Sequence, residues 1–409
     1  MKRLIYIGVL FAVAINSFFS CRDEYEIIEP ETIQVTLPEY TSIEGFYLLN
    51  EGNMGSNKAT LDYFDYTTGE YTRNIFGAAN PHVVKEMGDV GNDLKIYGNK
   101  LYAVINRSGK VDVMDAQSVV KTGQVDIPNC RFIAFKDGYA YVTSYAGPVQ
   151  TGPNYEQLGF VAKIDTVSLQ EVDRCLVGYQ PDELAIVGNR MYVANSGGYN
   201  APDYDNTVSV IDLNTFTEVK KIEVVRNPYR VRVDRYGQLW VSSRGDYYGQ
   251  PSKLFCIDLR TETVVDSLDI GVSNMHLDGD SLYICSTEWS YNTLKNEVTY
   301  GIVNVKDREV VTRNFITDGS EKSIRIPFGI TVNPLTKDIY VTDARNYVSA
   351  GILHCYSPQG VKKWSVATGD IPAHFAFKGE MNHLPPGPLP RRGSQVKHRK
   401  HDSSINERI

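Results

Sequence analysis

Residues 191–215 read MYVANSGGYNAPDYDNTVSVIDLNT. The first five, Met191-Tyr192-Val193-Ala194-Asn195, are the alternating, β-branched and aromatic residues that a half-buried strand requires. A polar, Gly- and Tyr-rich excursion follows. Thr207-Val208-Ser209-Val210-Ile211-Asp212 then alternates again before Leu213-Asn214-Thr215 turns the chain. The order is strand, long loop, strand, tight turn.

The same unit returns along most of the chain. An apolar residue followed by an aromatic opens Phe46-Tyr47-Leu48, Leu101-Tyr102-Ala103, Ala140-Tyr141-Val142, Met191-Tyr192-Val193, Leu239-Trp240-Val241, Leu282-Tyr283-Ile284 and Ile339-Tyr340-Val341. The aromatics are 55, 39, 51, 48, 43 and 57 residues apart. Partner strands ending in an acidic or polar turn follow most of them, as in Val111-Asp112-Val113-Met114-Asp115 and Leu254-Phe255-Cys256-Ile257-Asp258. Seven irregularly spaced copies predict an all-β, seven-bladed β-propeller with four-stranded blades. A β-sandwich with chance similarity between strands is the competing reading, and a solenoid fits less well because no copy has a polar cap.

Residues 1–21 have the pattern of an export signal: Lys2 and Arg3, an apolar run from Leu4 to Phe19, then Ser20-Cys21. A small residue before cysteine resembles a bacterial lipobox. That resemblance makes Cys21 a lipid-bearing residue and the chain membrane-anchored, although Phe18 and Phe19 depart from the usual upstream positions. Ordinary secretion, with Cys21 lost in the cleaved peptide, is the alternative. Arg22-Asp23-Glu24 resembles the acidic export tag of Bacteroidetes surface lipoproteins, which implies the cell-surface side of the outer membrane. Residues 22–44 read as a flexible tether, 45–380 as the propeller and 381–409 as a disordered basic tail. The tail holds six Lys/Arg against two acids, a surplus of four, so the rest of the chain carries −11 of the net −7. An exported acidic body argues against a nucleic-acid partner.

The ends of the pattern predict closure. The first copy begins at the second strand of a blade (Phe46 to Leu49, then Ala59 to Asp65, then Tyr71 to Ile75), and Ile371-Pro372-Ala373-His374-Phe375-Ala376-Phe377 is an innermost strand without followers. Joined, they complete one blade and leave the ring no loose edge. The only helix suggested is a short one within 83–88.

Loop lengths distinguish the two faces. Turns between first and second strands, such as Lys136-Asp137-Gly138 and Gly188-Asn189-Arg190, are short, as are those between third and fourth strands. Connections between second and third strands are long: 50–58, 145–158, 195–206, 243–252, 287–297 and 343–350. They emerge on the same face as the links between blades, so one face is trimmed and the other elaborated. Binding residues concentrate on such loops over a rigid scaffold.

The elaborated face is rich in Tyr, Asn and Arg, residue types that supply rigid amphipathic surface, amide donors and acceptors, and positive charge. The candidate contact set is Asn92, Asn129, Arg131, Tyr179, Gln180, Asn195, Tyr229, Arg230, Arg244, Tyr247, Tyr248, Asn274, Trp289, Phe328 and His374. Catalytic signals are weak: His276 and His354 sit in strand patterns, and His82 and His374 lack metal-ligand spacing. No Gly-x-Ser-x-Gly elbow or paired-carboxylate signature occurs, and Glu51, Asp89, Asp246 and Glu288 are scattered. Besides Cys21, four cysteines lie in strand patterns and Cys130 at a loop, and no disulfide is expected. These observations favour a binding protein with no catalytic cofactor and no resident metal.

The phrase Tyr192-Val193-Ala194-Asn195 with Val208-Ser209-Val210-Ile211-Asp212-Leu213 resembles the YVTN-type (YncE-like) propellers. Leu49-Asn50-Glu51-Gly52-Asn53-Met54-Gly55-Ser56-Asn57, Gly88-Asp89-Val90-Gly91-Asn92-Asp93, Val177-Gly178-Tyr179-Gln180-Pro181, the run from Trp240 to Tyr248 and Thr368-Gly369-Asp370-Ile371-Pro372 together resemble the BtuG family of surface cobalamin-binding lipoproteins. The resemblance covers residues 45–377; the tail departs from it. It implies a non-enzymatic lipoprotein that captures cobalamin (vitamin B12) and related corrinoids as transported ligand and hands them to a BtuB-type TonB-dependent outer-membrane transporter. Surface glycan binding, or hydrolase or lyase action on the same face, are the alternatives.

Overall fold

The computed structural model describes residues 31–34, 43–83, 87–148, 156–246, 249–290 and 294–379. Within them lie seven antiparallel sheets arranged as blades of a closed ring. The innermost strands of blades 2 to 7 are Gly91–Tyr97, Cys130–Lys136, Pro181–Val187, Pro228–Val233, Asn274–Asp278 and Pro327–Val332. That of blade 1 is Pro372–Gly379, which pairs with Ile43–Asn50 through Phe46↔Phe377 and Leu48↔Phe375. The expected closure is therefore present. Phe46 sits among the rings of Phe64, Tyr340, Phe375 and Phe377 at centroid distances of 4.9–5.9 Å, so the last strand, the first blade and the seventh share one aromatic core.

The ring has seven cores, one at each interface between blades, because each sheet has two apolar faces and must bury both. The aromatics of the repeat fill them: Tyr47, Tyr102, Tyr141, Tyr192, Trp240 and Tyr340 are all buried. Turns between third and fourth strands recur with one geometry. Asp65, Asp115, Asp165, Asp212 and Asp258 each accept backbone N–H groups through a carboxylate oxygen, and the residue four positions on has positive φ: Gly69, Val119, Leu169, Phe216 and Glu262. Non-glycine residues there cost about 1–2 kcal/mol of backbone strain. Val119, Leu169 and Phe216 offset it by placing their side chains in the cores between blades.

Three expectations are corrected. Thr32–Gln34, assigned above to the tether, is a fifth strand of blade 1, pairing with Glu70–Thr72 at the sheet edge. The strand expected from Tyr71 to Ile75 stops at Thr72, and the short helix is Ile75–Ala79, following Asn74 in the left-handed region; residues 84–86 of the expected helix lie outside the described residues. The expected loop 287–297 is a β-hairpin arm: Ser281–Ser290 pairs with Lys295–Asn304 from Ser281↔Asn304 to Ser290↔Lys295. An arm projecting past the ring has no buried face, so its sequence lacks the apolar alternation that marks other strands. Residues 1–21, with Cys21, and the tail 381–409 lie outside the described residues. No described helix is long and apolar enough to cross a membrane.

Candidate functional site

On the elaborated face, the residue immediately before the innermost strand takes positive φ in five blades: Val90, Asn129, Gln180, Asn227 and Ile371. Asparagine tolerates this conformation better than most residues, which supplies a backbone reason for Asn129 and Asn227. Near their starts the innermost strands of blades 3, 5 and 7 are bulged, and the backbone N–H groups of Phe132, Arg230 and Gly329 donate to the hydroxyls of Thr143, Ser242 and Thr342. Carboxylates brace neighbouring blades: Asp93 accepts from Ile133 N at 3.1 Å and Glu183 from Val231 N at 2.9 Å. A bulge redirects the side chains beside it; here Arg131 and Arg230 come from bulged strands, at the mouth of the central channel.

The amides of the candidate set are largely committed to this framework. Asn195 donates to Thr207 Oγ1 and Ser209 Oγ and accepts from Gly178 N. Asn129 donates to Gly147 O and accepts from Asn106 Nδ2. Asn274 bridges Phe328 O and Met275 N, and Gln180 accepts from Tyr199 N at 2.6 Å. Asn92 donates to Arg131 O and accepts from Arg131 Nη1. Their work within the protein is to hold long loops in one conformation. His374, buried on the closing strand, lies with Nε2 3.0 Å from Glu51 Oε1 across the blade 1 loop.

Seven side chains from blades 3, 4 and 5 come together. Arg131 Nε lies 3.0 Å from Asp182 Oδ1, which also accepts from Tyr145 OH at 2.9 Å. The Arg131 guanidinium lies over the Tyr145 ring at 4.9 Å. Arg230 lies between the rings of Phe132 and Tyr229, at 4.8 and 4.6 Å, and Arg244 over Tyr229 at 3.4 Å. Burial above all pushes the Tyr145 phenol well above its ordinary range; Arg131 opposes this and Asp182 adds to it, so the hydroxyl remains a donor. Asp182 and Glu183 were absent from the candidate set. Their signal was available in the sequence: they follow the Gln180-Pro181 link at the positions where Asn92 and Asp93 follow Gly91.

Other aromatics of the candidate set and its neighbouring loops are less buried. Tyr199, Tyr347 and Trp289 are 44%, 40% and 50% exposed, Trp289 on the hairpin arm, while Tyr179 and Phe328 are half-buried. Tyr199 packs edge-on to Tyr145, and Phe328 to Tyr347. Tyr247 and Tyr248 lie outside the described residues. His276 faces Thr331 of the next blade, and His354 is buried within blade 7. All five described cysteines are buried and free. Cys130, expected at a loop, begins the innermost strand of blade 3, where burial pushes its thiol up to about 12. Among the described residues no group of three His, Cys, Asp or Glu is disposed to hold a metal ion.

Residues 44–378 match the family described as a domain of unknown function, DUF5074. The chain belongs to the DUF5074 family. Comparison with curated proteins finds no match. Among solved structures this DUF5074 propeller is similar to a quinoprotein alcohol dehydrogenase-like protein of Bacteroides thetaiotaomicron, at 14% identity and TM-score 0.58, over 83% of this chain and 79% of that one. It is also similar to hydrazine synthase of Kuenenia stuttgartiensis, at 18% identity and TM-score 0.51, over 65% and 76%. At these identities the likeness establishes the propeller fold alone.

Proposed function

We propose that this DUF5074 propeller is a capture protein for cobalamin and related corrinoids. In this reading it is not an enzyme: it is held at the outer-membrane surface through Cys21 and passes its ligand to a BtuB-type TonB-dependent transporter. The observation that carries the reading is the preorganised breadth of the elaborated face. Loops from several blades are fastened by Asn92, Asn129, Gln180, Asn195 and Asn274, and beside them Tyr179, Tyr199, Phe328 and Tyr347, with Trp289 on the hairpin arm, are half-buried or exposed. A corrinoid is a broad plate fringed with amides, and it suits a wide, ring-lined surface better than a deep slot. Because the loops are already ordered, little conformational entropy is lost when a large ligand settles. The resemblance of the loop sequences to the BtuG family supports the same ligand class.

Titration of the purified protein with cyanocobalamin, followed by Tyr/Trp quenching and by coloured protein on a sizing column, tests the reading. Stoichiometric retention, weakened by Trp289→Ala and Tyr179→Ala, is the expected result. A folded protein that retains no corrinoid at micromolar concentration overturns it, and binding to a glycan array would then identify the face as a glycan platform. Chemical turnover of either ligand would overturn the non-enzymatic part.

A further inference from the structure

Blade 1 has five strands and the other six sheets have four. The extra strand, Thr32–Gln34, comes from the stretch whose composition reads as a tether, and it covers the outer edge of the blade. Three residues of pairing hold weakly by themselves, so the contacts around them decide whether the strand stays in place. Ile33 packs on the aromatic core where blade 1 meets blade 7. The hydroxyls of Thr32 and Thr72 lie 3.2 Å apart, and Gln34 Nε2 donates to Thr68 O at 2.9 Å. The Glu31 carbonyl accepts from Arg73 N at 2.8 Å, and its carboxylate lies 3.0 Å from Arg73 Nη1. Arg73 Nη2 also donates to Thr368 O of blade 7 at 3.0 Å, so the ion pair sits on the seam that closes the ring.

The direction of the strand fixes where the chain leaves the ring. Ile43–Asn50 runs into the long loop on the elaborated face, Thr60–Asp65 returns to the turn at Thr67-Thr68-Gly69 on the trimmed face, and Glu70–Thr72 runs back. Thr32–Gln34 is antiparallel to this last strand, with Thr32↔Thr72 and Gln34↔Glu70. Gln34 is therefore at the trimmed end, beside Thr68, and Glu31 is at the other, beside Arg73 and the approach of blade 7 to the link at Ile371. The chain towards Cys21 departs from the elaborated side of the rim.

Without this strand Cys21 would join the ring at Ile43, 22 residues on and at the trimmed end of its strand, and an extended chain of that length reaches about 75 Å. With it the junction is Glu31, 10 residues on, and the reach falls to about 35 Å. The eight residues of Ile43–Asn50 make the blade roughly 25 Å tall, so turning the trimmed face to a membrane at Cys21 would use most of the shorter leash.

We propose that Thr32–Gln34 is a clip that shortens the leash and moves its root to the elaborated side of blade 1, so that the elaborated face is turned towards the membrane holding Cys21. The orientation rests on the anchored reading; the clip itself does not.

Two measurements test this. In the first, the acylated protein on preformed phosphatidylcholine vesicles carries one reporter on blade 7, either Val348→Cys on the elaborated face or Gln359→Cys on a trimmed turn, both exposed positions. A bulky polyethylene-glycol maleimide should label the Gln359→Cys protein about threefold or more faster, relative to the same rate ratio in unanchored Cys21→Ser protein. Ile33→Asp with Glu31→Gln, which changes the clip and leaves the ring as it is, should bring the ratio towards one. Bridging positions 32 and 72 through oxidised Thr32→Cys and Thr72→Cys in that background should restore it. In the second, hydrogen exchange of the Cys21→Ser protein at residues 32–34 and at Arg73 N–H should be about tenfold or more slower than in the Ile33→Asp, Glu31→Gln variant. Equal exchange overturns the clip. A normalised labelling ratio of one in the anchored parent, or a ratio unchanged once exchange shows the strand released, overturns the orientation. Mass spectrometry of Cys21 separates the two readings: a chain without an acyl group rejects the anchor and the orientation with it, whereas an acylated chain with a ratio of one rejects the orientation alone.

Discussion

On the trimmed face, Asp115 folds back on Gln117 and Ser118 and closes a turn within one hairpin. On the elaborated face, Asn195 reaches Gly178, Thr207 and Ser209, tying the end of its own strand to the link before its blade and to the strand that follows the long loop. Both side chains satisfy backbone and hydroxyl partners. The first does so among neighbours in sequence and the second across 12 to 17 residues. A local device closes one turn, whereas a long-range one fixes segments far apart in sequence against one another. The same contrast separates the charges: Arg260 on the trimmed face pairs with Asp258 two residues away, whereas Arg131 finds Asp182 in the next blade.

Both faces depend on ring closure, and its loss should have the largest effect. Ending the chain before Pro372 removes the innermost strand of blade 1 and uncovers Phe46. We expect no cooperative unfolding transition by circular dichroism. Next, Asp182→Ala strips Arg131 of its carboxylate in a buried site and should cost about 3–5 kcal/mol in urea unfolding. A smaller loss would mean that water reaches the cluster. The third measurement concerns neither face. His354 lies mid-strand with both ring nitrogens unpartnered, and burial, helped by Lys362 and opposed by Asp343, lowers its pKa from 6.5 to about 4. The unfolded chain takes up this proton near pH 6.5 and the folded one only near pH 4. This contribution to stability is therefore complete above 6.5 and lost as pH falls towards 4, by on the order of 3 kcal/mol. His354→Leu should flatten that part of the profile.

The smaller effects test the contrast directly. Asn195→Ala breaks three long-range bonds and should cost about 1–3 kcal/mol, with weaker ligand retention as the loop loosens. Asp115→Ala removes a turn cap on the other face and should cost about 1 kcal/mol with ligand retention unchanged. Equal effects of the two on binding would refute the division of labour between the faces.

The sequence by itself determined the strands, their repetition and the closed ring. Alternation and turn chemistry act over five or six residues, and seven copies beginning and ending out of phase leave one way to seal both edges. Tyr102, Tyr141, Tyr192 and Trp240 entered the cores as their pattern predicts. The elaborated face was also legible, from loop lengths, but not the role of its residues. Asn129 and Asn195 looked like ligand contacts, and the structure ties their amides to loops. Tertiary structure alone decided three things. Thr32–Gln34 becomes a strand only because Glu70–Thr72 offers it an edge. The hairpin arm exists by backbone pairing without a buried face. Arg131, Asp182 and Arg230 meet because strand bulges and the angular placement of three blades bring together positions about 50 residues apart. Local periodicity encodes a strand, but register and orientation across the ring follow from packing whole blades against one another.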